Sequence, residues 1–135
     1  MITELGLEGR VELPGFVRDT DCEYVRASIF VLPSRYESFG MVVAEALGYG
    51  LPVVAFANCL GANEIVANGC NGILVDGPER EQALANGLAR LIRDPETRAC
   101  LGAAGPASIE RFKTETVVRR WETLLQQVSR GIAGP

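Results

Sequence analysis

The stretch Ser28-Ile-Phe-Val-Leu-Pro-Ser34 followed by Arg35-Tyr-Glu37-Ser-Phe-Gly40-Met-Val-Val-Ala-Glu45-Ala-Leu47 decides the fold. Its first part is a short apolar run ended by Pro33 and Ser34, the pattern of a parallel strand buried on both faces. Its second part carries a turn with Glu37 and then a helix over about Phe39 to Leu47, stopped by Gly48-Tyr49-Gly50 and Pro52. A strand that runs into a helix at a glycine places chemistry at the strand's carboxyl end. The unpaired amides of Gly40, Met41 and Val42, with the helix dipole behind them, suit a phosphate or diphosphate.

Met41, Val42, Val43, Ala44, Ala46 and Leu47 make that helix apolar nearly all round, so the pattern predicts a mostly buried helix. A carboxylate at Glu45 is costly there unless something pairs with it. Were Glu37 and Glu45 on one regular helix, they would stand roughly 12 Å apart along its axis. That matches the reach from a sugar across a diphosphate to a ribose. The spacing leaves open a plainer account, with Glu37 an ordinary turn residue and Glu45 on an exposed seam.

Outward from this stretch, strands are predicted at about Arg10–Leu13, Ile29–Leu32, Val53–Phe56 and Gly72–Val75, alternating with helices as in an α/β parallel sheet. A helix over Cys22 to Ala27 follows Asp19-Thr20-Asp21. A D-x-D can hold a metal, but here Thr20 or Asp21 reads as an N-cap. After Pro78 the pattern is wholly helical. Ala83, Leu84, Gly87, Leu88, Leu91 and Ile92 form one stripe in a helix ending near Asp94-Pro95, and a short helix follows to about Leu101. A last helix from near Thr114 sets Val117, Val118, Trp121, Leu124, Leu125 and Val128 on one face, with Trp121 read as core packing.

The 135 residues, 47% hydrophobic, support one core over 1–135, with strand-helix units over about 1–77 and C-terminal helices over about 78–130. A net charge of −4 gives no basic stripe for nucleic acid, so phosphate binding must rest on local amides. No apolar run is long enough for a transmembrane segment and no signal peptide opens the chain, so the expected compartment is the cytoplasm. Cys22, Cys59, Cys70 and Cys100 lack paired spacing and the chain contains no His, so no metal site is expected and the cysteines read as reduced and structural. No G-x-G-x-x-G follows a strand, which argues against hydride chemistry.

The run Val31 to Ala55 closely resembles the donor-binding segment of retaining glycosyltransferases of the GT-B type, the glycosyl transferases group 1 family. Arg10-Val-Glu-Leu-Pro-Gly-Phe-Val17 resembles the family's nucleobase-side strand and loop, and Gly61–Val66 with Gly69–Val75 resembles its next elements. The resemblance implies a Rossmann-like parallel sheet flanked by helices, as part of the C-terminal domain. It implies that Glu37 is the catalytic-site residue contacting donor-sugar hydroxyls, that the Phe39, Gly40 and Met41 amides bind sugar, and that the Val42 amide meets the diphosphate. Glu45 would grip the ribose, with Phe16 and Val17 beside the base. The substrate implied is a nucleotide-diphosphate-sugar, with no metal required and no other cofactor.

The family also brings an Arg and a Lys to the diphosphate from a first strand-helix unit, and a His from an N-terminal acceptor domain. Neither is found here, where Met1-Ile-Thr-Glu-Leu-Gly-Leu-Glu-Gly9 reads as the tail of a helix and a turn. The resemblance thus implies the donor half of a hexosyltransferase, an incomplete domain inactive by itself. The alternative is a non-catalytic sugar-nucleotide-binding or protein-interaction module. Two strands absent from between Arg10–Leu13 and Ile29–Leu32 would leave a gap in the sheet, which a second copy could fill as a homo-oligomer. Sedimentation velocity is expected to show such an assembly, and a monomer with one cooperative melt would reject it.

Overall fold

The computed structural model describes residues 1–132, with side chains to Arg130, so the last three residues of the expected domain lie outside the description. Three parallel strands form its sheet: β1 (Phe30–Leu32), β2 (Val53–Phe56) and β3 (Gly72–Val75), in the order β1-β2-β3. Phe30 stands opposite Val53, and Val53 opposite Gly72, so the strands begin nearly level and their carboxyl ends lie together. Helices α1 (Thr20–Arg26), α2 (Met41–Gly48) and α3 (Ala62–Ile65) precede and link them. Helices α4 (Arg80–Arg93), α5 (Pro95–Ser108) and α6 (Thr114–Ile132) follow, with a 3-10 turn at Glu110–Phe112. The α/β class and the parallel sheet are as the residue pattern predicts.

All four residues of β2 are buried, because it is paired on both edges and covered on both faces. Val53 and Ala55 pack with Val43, Ala46 and Leu47 of α2 and with Ala62 and Ile65 of α3. Val54 points the other way, with Ile73, Leu91 and Leu101. Helix α5 comes close to the end of α2 because position 105 is glycine: a Cβ there would lie 2.5 Å from the Leu47 carbonyl oxygen.

Several expectations are corrected. Arg10–Leu13 is not a strand: it pairs with none of the three strands, and Val11 and Leu13 are exposed. An apolar alternation becomes a strand only beside a hydrogen-bonding neighbour. Helix α1 starts earlier than expected, at Thr20, so Asp19 takes the N-cap position without a side-chain cap bond; its carboxylate instead accepts from the Cys22 thiol at 3.3 Å. Helix α5 runs on to Ser108, past the short helix expected, because Gly102 and Gly105 let it dock and Pro106 is accommodated within it. Trp121 is not core: it is 59% exposed, and α6 touches mainly the 3-10 turn. Of the four cysteines only Cys59 is buried, so a structural role fits that one alone. The opening residues do end like a helix, with Leu7 N–H donating to Ile2 O and Gly6 N–H to Thr3 O.

Asn71 is the buried polar anchor of the fold. Its Oδ1 accepts from the Ala67 amide at 2.8 Å, and its Nδ2 donates to Ile65 O at 3.2 Å and Ser108 Oγ at 2.8 Å. It thereby joins the turn before β3 to the end of α5. Asn71→Ala is expected to cost about 2–3 kcal/mol in urea unfolding, since it leaves buried partners unsatisfied; a loss well under about 1 kcal/mol would reject that role.

Candidate functional site

The carboxyl ends of β1 and β2 open onto two adjoining turns. After β1, Pro33 to Phe39 carries Glu37, which is half-buried, and Phe39, which is partly exposed. The Glu37 amide donates to Leu60 O at 3.3 Å in the turn after β2. Gly61 makes this meeting possible: at φ +86°, a Cβ would sit 2.6 Å from Glu37 O and 3.1 Å from Phe39 backbone. Phe39 packs edge-on against Phe112, centroids 5.2 Å apart.

Helix α2 begins two residues inside the expected range, at Met41, with Gly40 as N-cap at φ 82°, ψ 49°. No side chain caps it and no acid lies in its first turn, which leaves the positive end of its dipole to solvent or ligand. Met41 and Val42 are exposed at this end, whereas Val43, Ala46 and Leu47 are buried. The expectation of a helix buried all round is therefore corrected: only one side meets the sheet, and Glu45 lies on the exposed side. Apolar composition misled there because exposed Met and Val cost little.

Glu45 nevertheless has a partner, for Tyr24 Oη donates to its Oε2 at 3.0 Å. The Tyr24 ring stacks on Tyr49, centroids 5.3 Å apart, which ties α1 to α2. The Tyr24 phenol is pushed up to about 12, by burial first and then by the hydrogen bond and charge of Glu45. Residues 16 and 17 stand apart from this cluster in secondary structure. Phe16 is 89% exposed on a segment without regular secondary structure that pairs with no strand.

A cation missed from the sequence completes the picture. Arg80, the first residue of α4, places its guanidinium 3.5 Å from the Phe56 ring centroid and donates to Asn58 Oδ1 at 3.0 Å. The signal available was weak, a lone Arg after a Gly-Pro turn far along the chain. The site itself is an open shelf. Two pockets border these residues: one of about 320 Å³ lined by Tyr24, Tyr49, Pro52, Arg98 and Gly102, and one of about 290 Å³ beside Phe112 and Trp121. The first sits by the residues that precede β2, at the opposite end of the sheet.

Residues 1–108 match the model of the family described as Glycosyl transferases group 1. The chain belongs to this family. It is 40% identical over 117 residues to the D-inositol 3-phosphate glycosyltransferase of Rhodococcus jostii, covering 85% of this chain and 25% of that protein. A structure of Anabaena HepE in complex with UDP and glucose superposes with TM-score 0.82 at 34% identity, over 93% of this chain and 34% of that one. The C-terminal domain of a Glycosyl Transferase Group 1 Family protein from Francisella tularensis gives TM-score 0.72 at 28% identity, over 84% of this chain and 59% of that one. The fold is thus that of a GT-B C-terminal domain. The chain spans between 14% and 34% of the length of the first curated relatives it matches. No helix among the described residues is long and apolar enough to cross a membrane.

Because Glu45 helps hold the Tyr24 proton, the neutral phenol is favoured in the folded chain. The stability this adds is present below the ordinary phenol value of 10 and is lost as pH rises through about 12. Glu45→Gln is expected to move this ionisation down toward 10 in an ultraviolet titration of tyrosinate, and an unmoved titration would separate the two residues.

Proposed function

We propose that this chain is the donor-binding part of a retaining glycosyltransferase that moves a hexose from a nucleotide-diphosphate-sugar to an acceptor. The observation that carries the reading is the uncapped start of α2 at the carboxyl end of β1, preceded by Glu37 and followed on the exposed side by Glu45. Support comes from HepE, which binds UDP and glucose and is 34% identical over 93% of this chain.

In this reading the diphosphate meets the Val42 amide at the helix start, where the dipole and unpaired N–H groups favour negative charge. The Phe39, Gly40 and Met41 amides and the Glu37 carboxylate take the sugar. Glu45 holds the ribose hydroxyls from one turn further along α2, and Phe16 and Val17 flank the base through their backbone. No metal is required: departure of the diphosphate is helped by amides and dipole aimed at the charge that develops. Transfer needs an acceptor-binding domain, so the chain alone binds the donor without turning it over.

The exposed apolar face of α6, with Val118, Trp121 and Leu125 between 48% and 61% exposed, favours a second role as an interaction module. That face would receive the acceptor-binding domain, and the outer edge of β1, which pairs only with β2 among the described strands, would receive a further strand.

Calorimetric titration with UDP-, GDP- and ADP-hexoses tests the donor reading. Saturable heat for one base is expected, weakened about tenfold or more in Glu45→Ala through loss of charge-assisted hydrogen bonds to ribose. A folded chain silent to all three would reject it.

A further inference from the structure

Arg80 touches more of the site's scaffold than any motif in the sequence suggests. Besides lying over Phe56 and donating to Asn58, its Nη2 donates to Ser34 O at 3.4 Å, and Ser34 follows directly on β1 and Pro33. One side chain, fixed at the start of α4, therefore reaches the segments that leave β1 and β2. Phe56 is only 4% exposed, so the cation covers an otherwise buried ring. No ion pair among the described residues involves Arg80. Its charge is answered by a ring face, an amide oxygen and a carbonyl rather than by a carboxylate.

We propose that Arg80 is a positioning residue of the donor site, holding the Ser34 carbonyl and thereby setting the turn from Ser34 to Gly40 that presents Glu37 and Phe39 to the sugar. The inference deepens the donor-binding reading and rests on it. The turn is held at two points. Leu60 and Gly61 receive it at Glu37, and Arg80 fixes its root at Ser34. Cys59, in the turn after β2, is buried, and burial is the main cause that pushes its thiol up.

Arginine suits this task and lysine does not. Its planar fork can stack on Phe56 while two of its nitrogens serve acceptors 22 and 46 residues away in sequence. An ammonium offers a point charge without that geometry. If Arg80 only fastened α4 to the end of the sheet, its loss would lower stability and weaken every ligand alike. If it positions the sugar-side turn, its loss falls on ligands that carry a sugar.

The test uses the full chain with Arg80→Ala and Arg80→Lys. Hydrogen exchange is expected to quicken at residues 35–40 by about fivefold in Arg80→Ala, the weight of one lost hydrogen bond, while the amides of β2 keep their protection. In calorimetry UDP-glucose is expected to bind about fivefold more weakly and UDP less than about twofold, with Arg80→Lys close to Arg80→Ala. Unchanged exchange over 35–40, equal weakening of both ligands, or full rescue by lysine would each overturn the proposal. A native chain that binds neither UDP nor UDP-glucose would reject the donor reading instead, and the exchange data would still decide whether Arg80 holds the turn.

Discussion

The complete enclosure of β2 is the constraint from which the rest follows. A strand hydrogen-bonded on both edges and covered on both faces has no freedom of register, since a slip of one residue would turn Val53 and Ala55 toward α4 and Val54 toward α2. Its neighbours are fixed in turn, and three carboxyl ends finish at nearly one level. The turns that leave those ends are forced together, and a site is made where buried structure stops.

What the turns do there depends on close backbone approach. Gly61 lets the Glu37 carbonyl come nearer than any side chain would permit, and the Glu37 amide completes the contact with Leu60. Helix α2 then leaves with its amino end uncapped. In a chain of net charge −4, attraction for a phosphate cannot come from the overall field. The local source of positive potential at this end of the sheet is the uncapped helix start. Arg80 stands at the same end of the sheet with its charge answered by the Phe56 ring, Asn58 Oδ1 and the Ser34 carbonyl, on a helix that lies 24 residues beyond β2 in the sequence yet starts beside the last residue of that strand.

Much of this was legible in the residues. Val53–Phe56 and Gly72–Val75 read as strands with the bounds they have, because continuous apolar runs between turn residues leave a buried strand few alternatives. Helices α4 and α6 followed from periodicity. Arg10–Leu13 read as a strand on the same grounds and is not one, since pairing is a property of neighbours rather than of a segment. Trp121 read as core because helical spacing reports which residues share a face, not whether anything covers that face. Glu45 gave the same lesson in reverse: its apolar surroundings in sequence suggested burial, whereas it is exposed and held by Tyr24 from another helix.

The sequence by itself determined the α/β class, the order of elements from α1 onward, the glycine that opens α2 and the acids that flank it, because local propensity and burial pattern are properties of short windows. Only the tertiary structure decided which groups stand together: Tyr24 with Glu45, Gly61 beneath Glu37, Asn71 bridging to Ser108, and Arg80 over Phe56. Each of these contacts joins residues at least 21 positions apart. No window of sequence encodes such a pairing, because it is fixed by how the layers pack around β2.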